Sequence, residues 1–113
     1  MPYIHVKTSL SVDERLQTKV QQELGQAIGL LPGKSEQWLM VQFSQEQALW
    51  MAGSDEPAAM VEVSIYGGAP QDAYDQLTER ITNILYDYLD LEPQRVYVKY
   101  AECEVWGWNG ANF

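Results

Sequence analysis

The sequence predicts an α+β fold in which two βαβ units form a four-stranded mixed sheet with both helices on one face. Three observations carry that prediction. Two long stretches place apolar residues at helical spacing. Each is flanked by short runs that alternate apolar and polar residues, the period of a strand. A constant shift of 57 residues then superposes the second set on the first: Leu16, Val20, Leu24, Ala27, Ile28 and Leu31 map onto Ala73, Leu77, Ile81, Ile84, Leu85 and Tyr88. The shift holds in the flanking strands too. Ile4 and Val6 map onto Val61 and Val63, and Leu39, Val41 and Phe43 onto Val96, Val98 and Tyr100. The chain is therefore read as one domain, residues 1–113, with an internal repeat of 2–43 and 59–100.

The elements follow in order. The opening MPYIHVK is a strand with Pro2 at its first position, where no ladder donor is missed. A helix is expected from Val12 to Leu31, announced by Ser11 and Glu14 as a capping box. A second strand follows PGKSEQW, and a third runs through Val61 and Val63 to Ser64 and Ile65. The second helix is expected from Pro70 to Leu89, with Pro70 as its first helical residue and Asp72 in its first turn. A fourth strand carries Val96, Val98 and Tyr100. Each crossover is right-handed, so the two strands of each unit run parallel.

One sheet face takes the aliphatic residues and meets the helices. The other carries Tyr3, His5, Lys7, Trp38, Met40, Gln42, Met60, Glu62, Arg95, Tyr97 and Lys99. That set is too apolar for open water and too polar for a dry core, so it is expected to be an oligomer surface. Two stretches lie outside the repeat: SQEQALWMAGSDEP and the tail ECEVWGWNGANF. In the tail, Asn109-Gly110 is a tight-turn pair, and Trp106, Trp108 and Phe113 need cover that neighbouring subunits can supply.

Composition narrows the function. Sixteen acidic residues against seven Lys and Arg give a net charge of −9. That disfavours nucleic acid and anionic membranes, which both require clustered basic charge. One cysteine, Cys103, allows no intrachain disulfide, and one cysteine with one histidine cannot build a thiolate and imidazole metal site. No cofactor is expected. The N-terminus lacks an apolar signal region, so a cytoplasmic protein is the expectation, with unconventional export open.

Topology then brings chemistry together. Parallel first and second strands start at one sheet edge, which places Pro2 near Lys34. If the third strand pairs antiparallel to the first, Ser64-Ile65 and the Tyr66-Gly67-Gly68 loop end at that same edge. The fourth strand starts at the opposite edge, so Tyr97 and Lys99 reach this place only from another subunit. A free terminal amine titrates near 7.7–8.0, and burial beside a lysine disfavours its cation. A neutral amine near pH 7 is a competent general base, and an ammonium with backbone donors can hold a carboxylate or an enolate oxygen. Such a set suits proton transfer next to a carbonyl group.

The ordered stretches MP, PGK, AGSDEP, VSIYGG, PQRVYVKY and WGWNGANF resemble the macrophage migration inhibitory factor and D-dopachrome tautomerase family, of the tautomerase superfamily. The resemblance spans essentially the whole chain. It implies a homotrimer whose sheets wrap a central channel, with active sites between adjacent subunits. It implies keto–enol tautomerisation of phenylpyruvate-like α-keto acids, after loss of Met1. By position it makes Pro2 the base. Lys34 and the backbone N–H of Ile65, next to Ser64, bind the substrate's carboxylate side. The neighbour's Tyr97, followed by Lys99, closes the pocket, and Tyr3, Trp38, Trp106 and Phe113 form its walls.

Two departures stand out. Lys99 occupies a position where the vertebrate cytokine has asparagine. Ala58-Ala59-Met60-Val61 replaces its Cys-x-x-Cys pair, so a thiol redox role is not expected. The alternative to an enzyme is a cytokine-like or host-directed binding protein. Decarboxylase or dehalogenase chemistry would call for an added carboxylate or arginine at the pocket. Only Glu62 and Arg95 offer themselves, and both are expected as polar groups of the sheet face.

Overall fold

A computed structural model describes residues 1–113. Its main elements are β1 (Pro2–Thr8), α1 (Glu14–Ala27), β2 (Met40–Ser44), β3 (Ala59–Tyr66), α2 (Gln71–Leu89), β4 (Val96–Cys103) and a short hairpin of β5 (Gly107–Trp108) and β6 (Ala111–Asn112). Single 3-10 turns follow α1 (Ile28–Leu30) and precede β2 (Glu36–Trp38) and β4 (Pro93–Arg95). The last two are themselves 57 residues apart.

The sheet order is β2-β1-β3-β4. β1 runs parallel to β2 with Tyr3 opposite Met40, and β3 parallel to β4 with Glu62 opposite Lys99. The two units meet where β1 pairs antiparallel with β3, Pro2 opposite Ile65 and Lys7 opposite Met60. The α+β class and the mixed four-stranded sheet are as the sequence predicts.

Both helices cover one face. Ile4, Val6, Val61, Val63 and Ile65 of the central strands are buried there against Val20, Leu24 and Ile28 of the first unit and Leu77, Ile81 and Leu85 of the second. Burying each of these side chains fully is worth about 1.5–3 kcal/mol against exposure. Edge-strand residues Leu39, Val41, Val96, Val98 and Tyr100 pack on this core but stay half-buried. At the helix seam the repeat-related pair Glu23 and Arg80 forms an ion pair of 3.2 Å, and the Tyr88 hydroxyl donates to Glu23 at 2.9 Å. No helix is long and apolar enough to cross a membrane.

Four local expectations are corrected. The cap of α1 is Asp13, not Ser11: its Oδ1 accepts the Leu16 N–H at 2.8 Å. Val12 stays out of the helix because it is buried and its N–H donates to Gln45 Oε1 at 2.7 Å. Pro70 precedes α2 as its cap, with ψ of 151°, and its carbonyl accepts the Ala73 and Tyr74 N–H groups. Arg95 is not a polar group of the sheet face. It sits in the turn before β4, where its guanidinium donates to the carbonyls of Met51, Ser54, Glu56 and Pro57 at 2.7–3.3 Å. Four loop carbonyls, two of them also paired with each other's N–H in the Met51–Ser54 bridge, converge on a fork with five donors. The face opposite the helices has no layer of this chain over it, and Met40 and Tyr97 are 67% and 61% exposed there.

Candidate functional site

The site begins at the edge where β1 and β2 start and β3 ends. Leu31-Pro32-Gly33-Lys34 makes a turn closed by the Lys34 N–H on the Leu31 carbonyl at 3.1 Å. Gly33 has φ of +79°, which fits Pro-Gly at the two central positions of a type II turn. The turn delivers Lys34, whose Nζ donates to the Tyr66 carbonyl at 2.8 Å. A lysine ammonium has three donors, so two remain for other acceptors.

Pro2 is buried at the first position of β1. Antiparallel pairs alternate between hydrogen-bonded and non-bonded residues. The Tyr66 N–H donates to the Met1 carbonyl at 3.1 Å, so the next pair, Pro2 and Ile65, is a non-bonded one. Proline is therefore tolerated without loss of a ladder bond, and its nitrogen faces away from β3, toward β2. The same alternation turns the Ile65 N–H toward β4, and the Ile65 side chain is core, 1% exposed. The amide that meets the start of β1 belongs to Tyr66, one residue beyond the position read from the sequence. Period-two pairing makes that one-residue difference a reversal of direction.

On the β2 side of Pro2 lies a cavity of about 500 Å³, lined by Met1, Pro2, Tyr3, Gln37, Trp38, Leu39, Met40, Trp106, Gly107 and Trp108. Its volume is in the range of small-molecule pockets. The 3-10 turn Glu36–Trp38 sets Trp38, and the C-terminal hairpin brings Trp108 edge-on to it at a centroid distance of 5.1 Å. Asn109 and Gly110 both have positive φ, 52° and 80°, as the two-residue hairpin turn requires. The Tyr3 hydroxyl donates to Gln42 Oε1.

The expected site residues thus separate. Pro2, Tyr3, Trp38 and Trp106 line one cavity. Lys34 is not among the lining residues; it is bound to the Tyr66 carbonyl at the same sheet edge. Phe113 lies outside it, 52% exposed and packed on the Tyr66 ring at 5.7 Å. Ser64 pairs with Tyr3 and lies half-buried on the open face. Tyr97 and Lys99 are not brought to Pro2 within one chain. Tyr97 is opposite Met60, five residues from the Ile65 row, about 16 Å along the strand. Trp108, Met40 and Gln37 are lining residues that the sequence reading did not assign. The Asn-Gly turn signal, which folds the tail back, could have pointed to Trp108.

Electrostatics favour a neutral amine at this edge. The terminal ammonium of Met1 is held below its ordinary value, first by burial and then by the Lys34 charge. On the open face His5 is also lowered, by burial and then Lys7, against an opposing pull from Glu62. Its Nε2 is 2.7 Å from Ser44 Oγ.

A family model described as macrophage migration inhibitory factor matches residues 1–113. The chain is 26% identical over 120 residues to macrophage migration inhibitory factor of Xenopus laevis, covering 100% of this chain and 99% of that protein. It is 29% identical over 108 residues to D-dopachrome decarboxylase of Gallus gallus, covering 94% and 90%. The crystal structure of Leishmania major MIF2 superposes with a TM-score of 0.94 at 29% identity, covering 100% of this chain and 97% of that one. Macrophage migration inhibitory factor from Trichinella spiralis shares the fold with a TM-score of 0.82 at 20% identity, over 98% and 99% of the two chains. Sheet order, helix placement and a match along the full length agree: the chain belongs to the macrophage migration inhibitory factor family.

Proposed function

We propose that the protein is a keto–enol tautomerase of phenylpyruvate-like α-keto acids that uses the Pro2 amine as general base once Met1 is removed. Family membership supports tautomerase or cytokine-like function in general terms. The observation that carries the finer reading is that Pro2 lines an aromatic-walled cavity, while the Lys34 ammonium and the Tyr66 amide meet beside it at Met1, at the same sheet edge.

With Met1 attached, the Pro2 nitrogen is an amide whose lone pair is delocalised, and it cannot act as a base. Freed, it is a secondary amine in surroundings that lower a neighbouring ammonium by burial and by Lys34. The neutral amine takes a proton from the carbon beside the keto group, and the bonding pair moves onto the carbonyl oxygen as an enolate. The protonated Pro2 amine or solvent then delivers a proton to the enolate oxygen, giving the enol; ketonisation runs the same steps in reverse, with the protonated amine delivering the proton to carbon. Lys34 offsets the charge of the carboxylate or enolate. The Tyr66 N–H loses its Met1 acceptor on excision and becomes free to donate to the same group. This assigns to Tyr66 the amide role that position had suggested for Ile65; Ile65 and Ser64 remain as the strand residues opposite Pro2 and Tyr3.

The reading includes a homotrimer in which a neighbour's β4 brings Tyr97 and Lys99 to the cavity mouth. The uncovered sheet face supports that part. Tyr3, Trp38 and Trp106 then wall the substrate's ring, with Phe113 at the Tyr66 side. No cofactor takes part.

Intact mass and an enol–keto assay on phenylpyruvate test the proposal. Met1 is expected to be absent, and Pro2→Gly is expected to lose about 10²–10⁴-fold in kcat/KM, the usual weight of a general base. Undiminished activity in that variant rejects Pro2 as base. Light scattering should give three chains; a monomer at micromolar concentration rejects the shared site. A folded, processed protein inert toward enolisable keto acids favours a cytokine-like binding protein.

A further inference from the structure

We propose that Lys99 is a specificity-determining residue that selects substrates bearing a second carboxylate remote from the α-keto acid group. The proposal rests on the tautomerase reading, in which a neighbour's β4 closes the Pro2 cavity.

Lys99 is held loosely, by one carboxylate. Its Nζ is 3.4 Å from Glu62 Oε2, while Lys7 contacts Oε1 of the same carboxylate more closely. One carboxylate therefore serves two ammonium groups. Lys7 takes the tighter contact and Lys99 the looser one, with 63% of its side chain exposed. A bond to a charged acceptor is best made at 2.7–2.9 Å, so most of the donor capacity of Lys99 is unused. Glu62 responds as a carboxylate saturated with cations: its pKa is lowered, first by the Lys7 hydrogen bond.

The surrounding charge points the same way. Glu62 is the only carboxylate among the residues that the four strands turn to the open face, which also carries Lys7 and Lys99. This face is net positive on a chain of net charge −9. Acidic side chains are concentrated on the helices and loops, so an anionic group finds its favourable field on the sheet side.

The placement of the two lysines in the trimer reading then indicates which anion is meant. Lys34, held at the Pro2 edge by the Tyr66 carbonyl, suits the α-carboxylate. Lys99 projects from the same face of β4 as Tyr97, two residues or about 7 Å farther along. In the trimer reading the neighbour's Tyr97 closes the cavity away from Lys34, so the Lys99 ammonium is assigned to the far end of the substrate, not its keto acid end. A substrate anionic at both ends would use Lys34 and Lys99 together, with its ring between Tyr3 and Trp38.

The experiment compares phenylpyruvate with 4-carboxyphenylpyruvate in wild type, Lys99→Gln and Glu62→Gln. Wild type is expected to favour the dianion in kcat/KM by about fivefold, the upper end for a solvent-reached ion pair. Lys99→Gln should bring the ratio to about one, mainly through KM, and Glu62→Gln should raise it by releasing Lys99. A wild type without preference, or a Lys99→Gln variant that keeps it, overturns the proposal. A purely structural Lys99 depresses both substrates alike and leaves the ratio unchanged, which also overturns it. If neither keto acid is turned over, the tautomerase reading fails on its own. Calorimetric titration of 3-(4-carboxyphenyl)propanoate and 3-phenylpropanoate then decides Lys99: tighter binding of the dianion, lost in Lys99→Gln, supports the assignment, and equal affinities end it.

Discussion

Replacing Lys34 by methionine keeps the length of the side chain and removes its charge, so it isolates what the ammonium contributes. In the free protein the loss is the 2.8 Å bond to the Tyr66 carbonyl, worth about 1 kcal/mol of stability. In the catalysed reaction the loss is larger. A hydrogen bond to a charged group contributes about 1.5–3 kcal/mol, which is roughly 10- to 150-fold in kcat/KM. A second effect has a definite sign. Lys34 is one of two causes that lower the Met1 ammonium, after burial, and in the proposed processed protein the Pro2 amine meets the same charge. Without it the amine pKa rises, so less neutral base exists near pH 7. The acid limb of the kcat/KM profile reports the free enzyme's base and should move to higher pH. The assay is phenylpyruvate ketonisation from pH 5 to 9 at 25 °C, with thermal melting as a control for folding. A folded variant with kcat/KM within twofold of wild type and an unmoved acid limb would refute both the binding and the electrostatic argument.

The remaining predictions concern the frame of the site. Asp13→Ala should destabilise the protein by about 1 kcal/mol through loss of the α1 cap, and Ser11→Ala by a few tenths at most, measured by urea unfolding. Arg95→Ala removes all four guanidinium bonds to the 51–57 loop, so amide exchange should accelerate there while the β1 and β3 amides keep their protection. The Glu62 pKa is depressed by Lys7 and then by Lys99, so its ion pairs stabilise the fold above the ordinary glutamate value near 4.3 and the gain is lost as pH falls through the lower folded value. Glu62→Gln should flatten the acid side of a Tm-against-pH curve in that window.

Much of the fold is legible in the sequence because it rests on periodicity. Val20, Leu24 and Ile28 repeat at helical spacing and recur as Leu77, Ile81 and Leu85, and all six are buried in the structure. Strand direction follows from the handedness of crossovers, so the shared edge of Pro2 and Lys34 was accessible to argument as well. The element ends were less so. Ser11 and Asp13 are both competent caps, and the choice fell to Gln45, thirty-three residues away, which binds the Val12 amide outside the helix. Arg95 looks like any exposed cation until the 51–57 loop folds over it.

The sequence by itself determined the class of fold, the pairing of the strands and the edge at which the base candidate sits, because side-chain periods of 3.6 and 2 leave few alternatives. Only the tertiary structure decided which amide meets that edge. Strand pairing alternates residue by residue, so Tyr66 and Ile65 point in opposite directions although they are adjacent in the chain. It alone decided that the tail hairpin sets Trp108 against Trp38, and that Glu62 divides itself between two lysines. Those outcomes depend on contacts between segments far apart in sequence, and no local pattern encodes them.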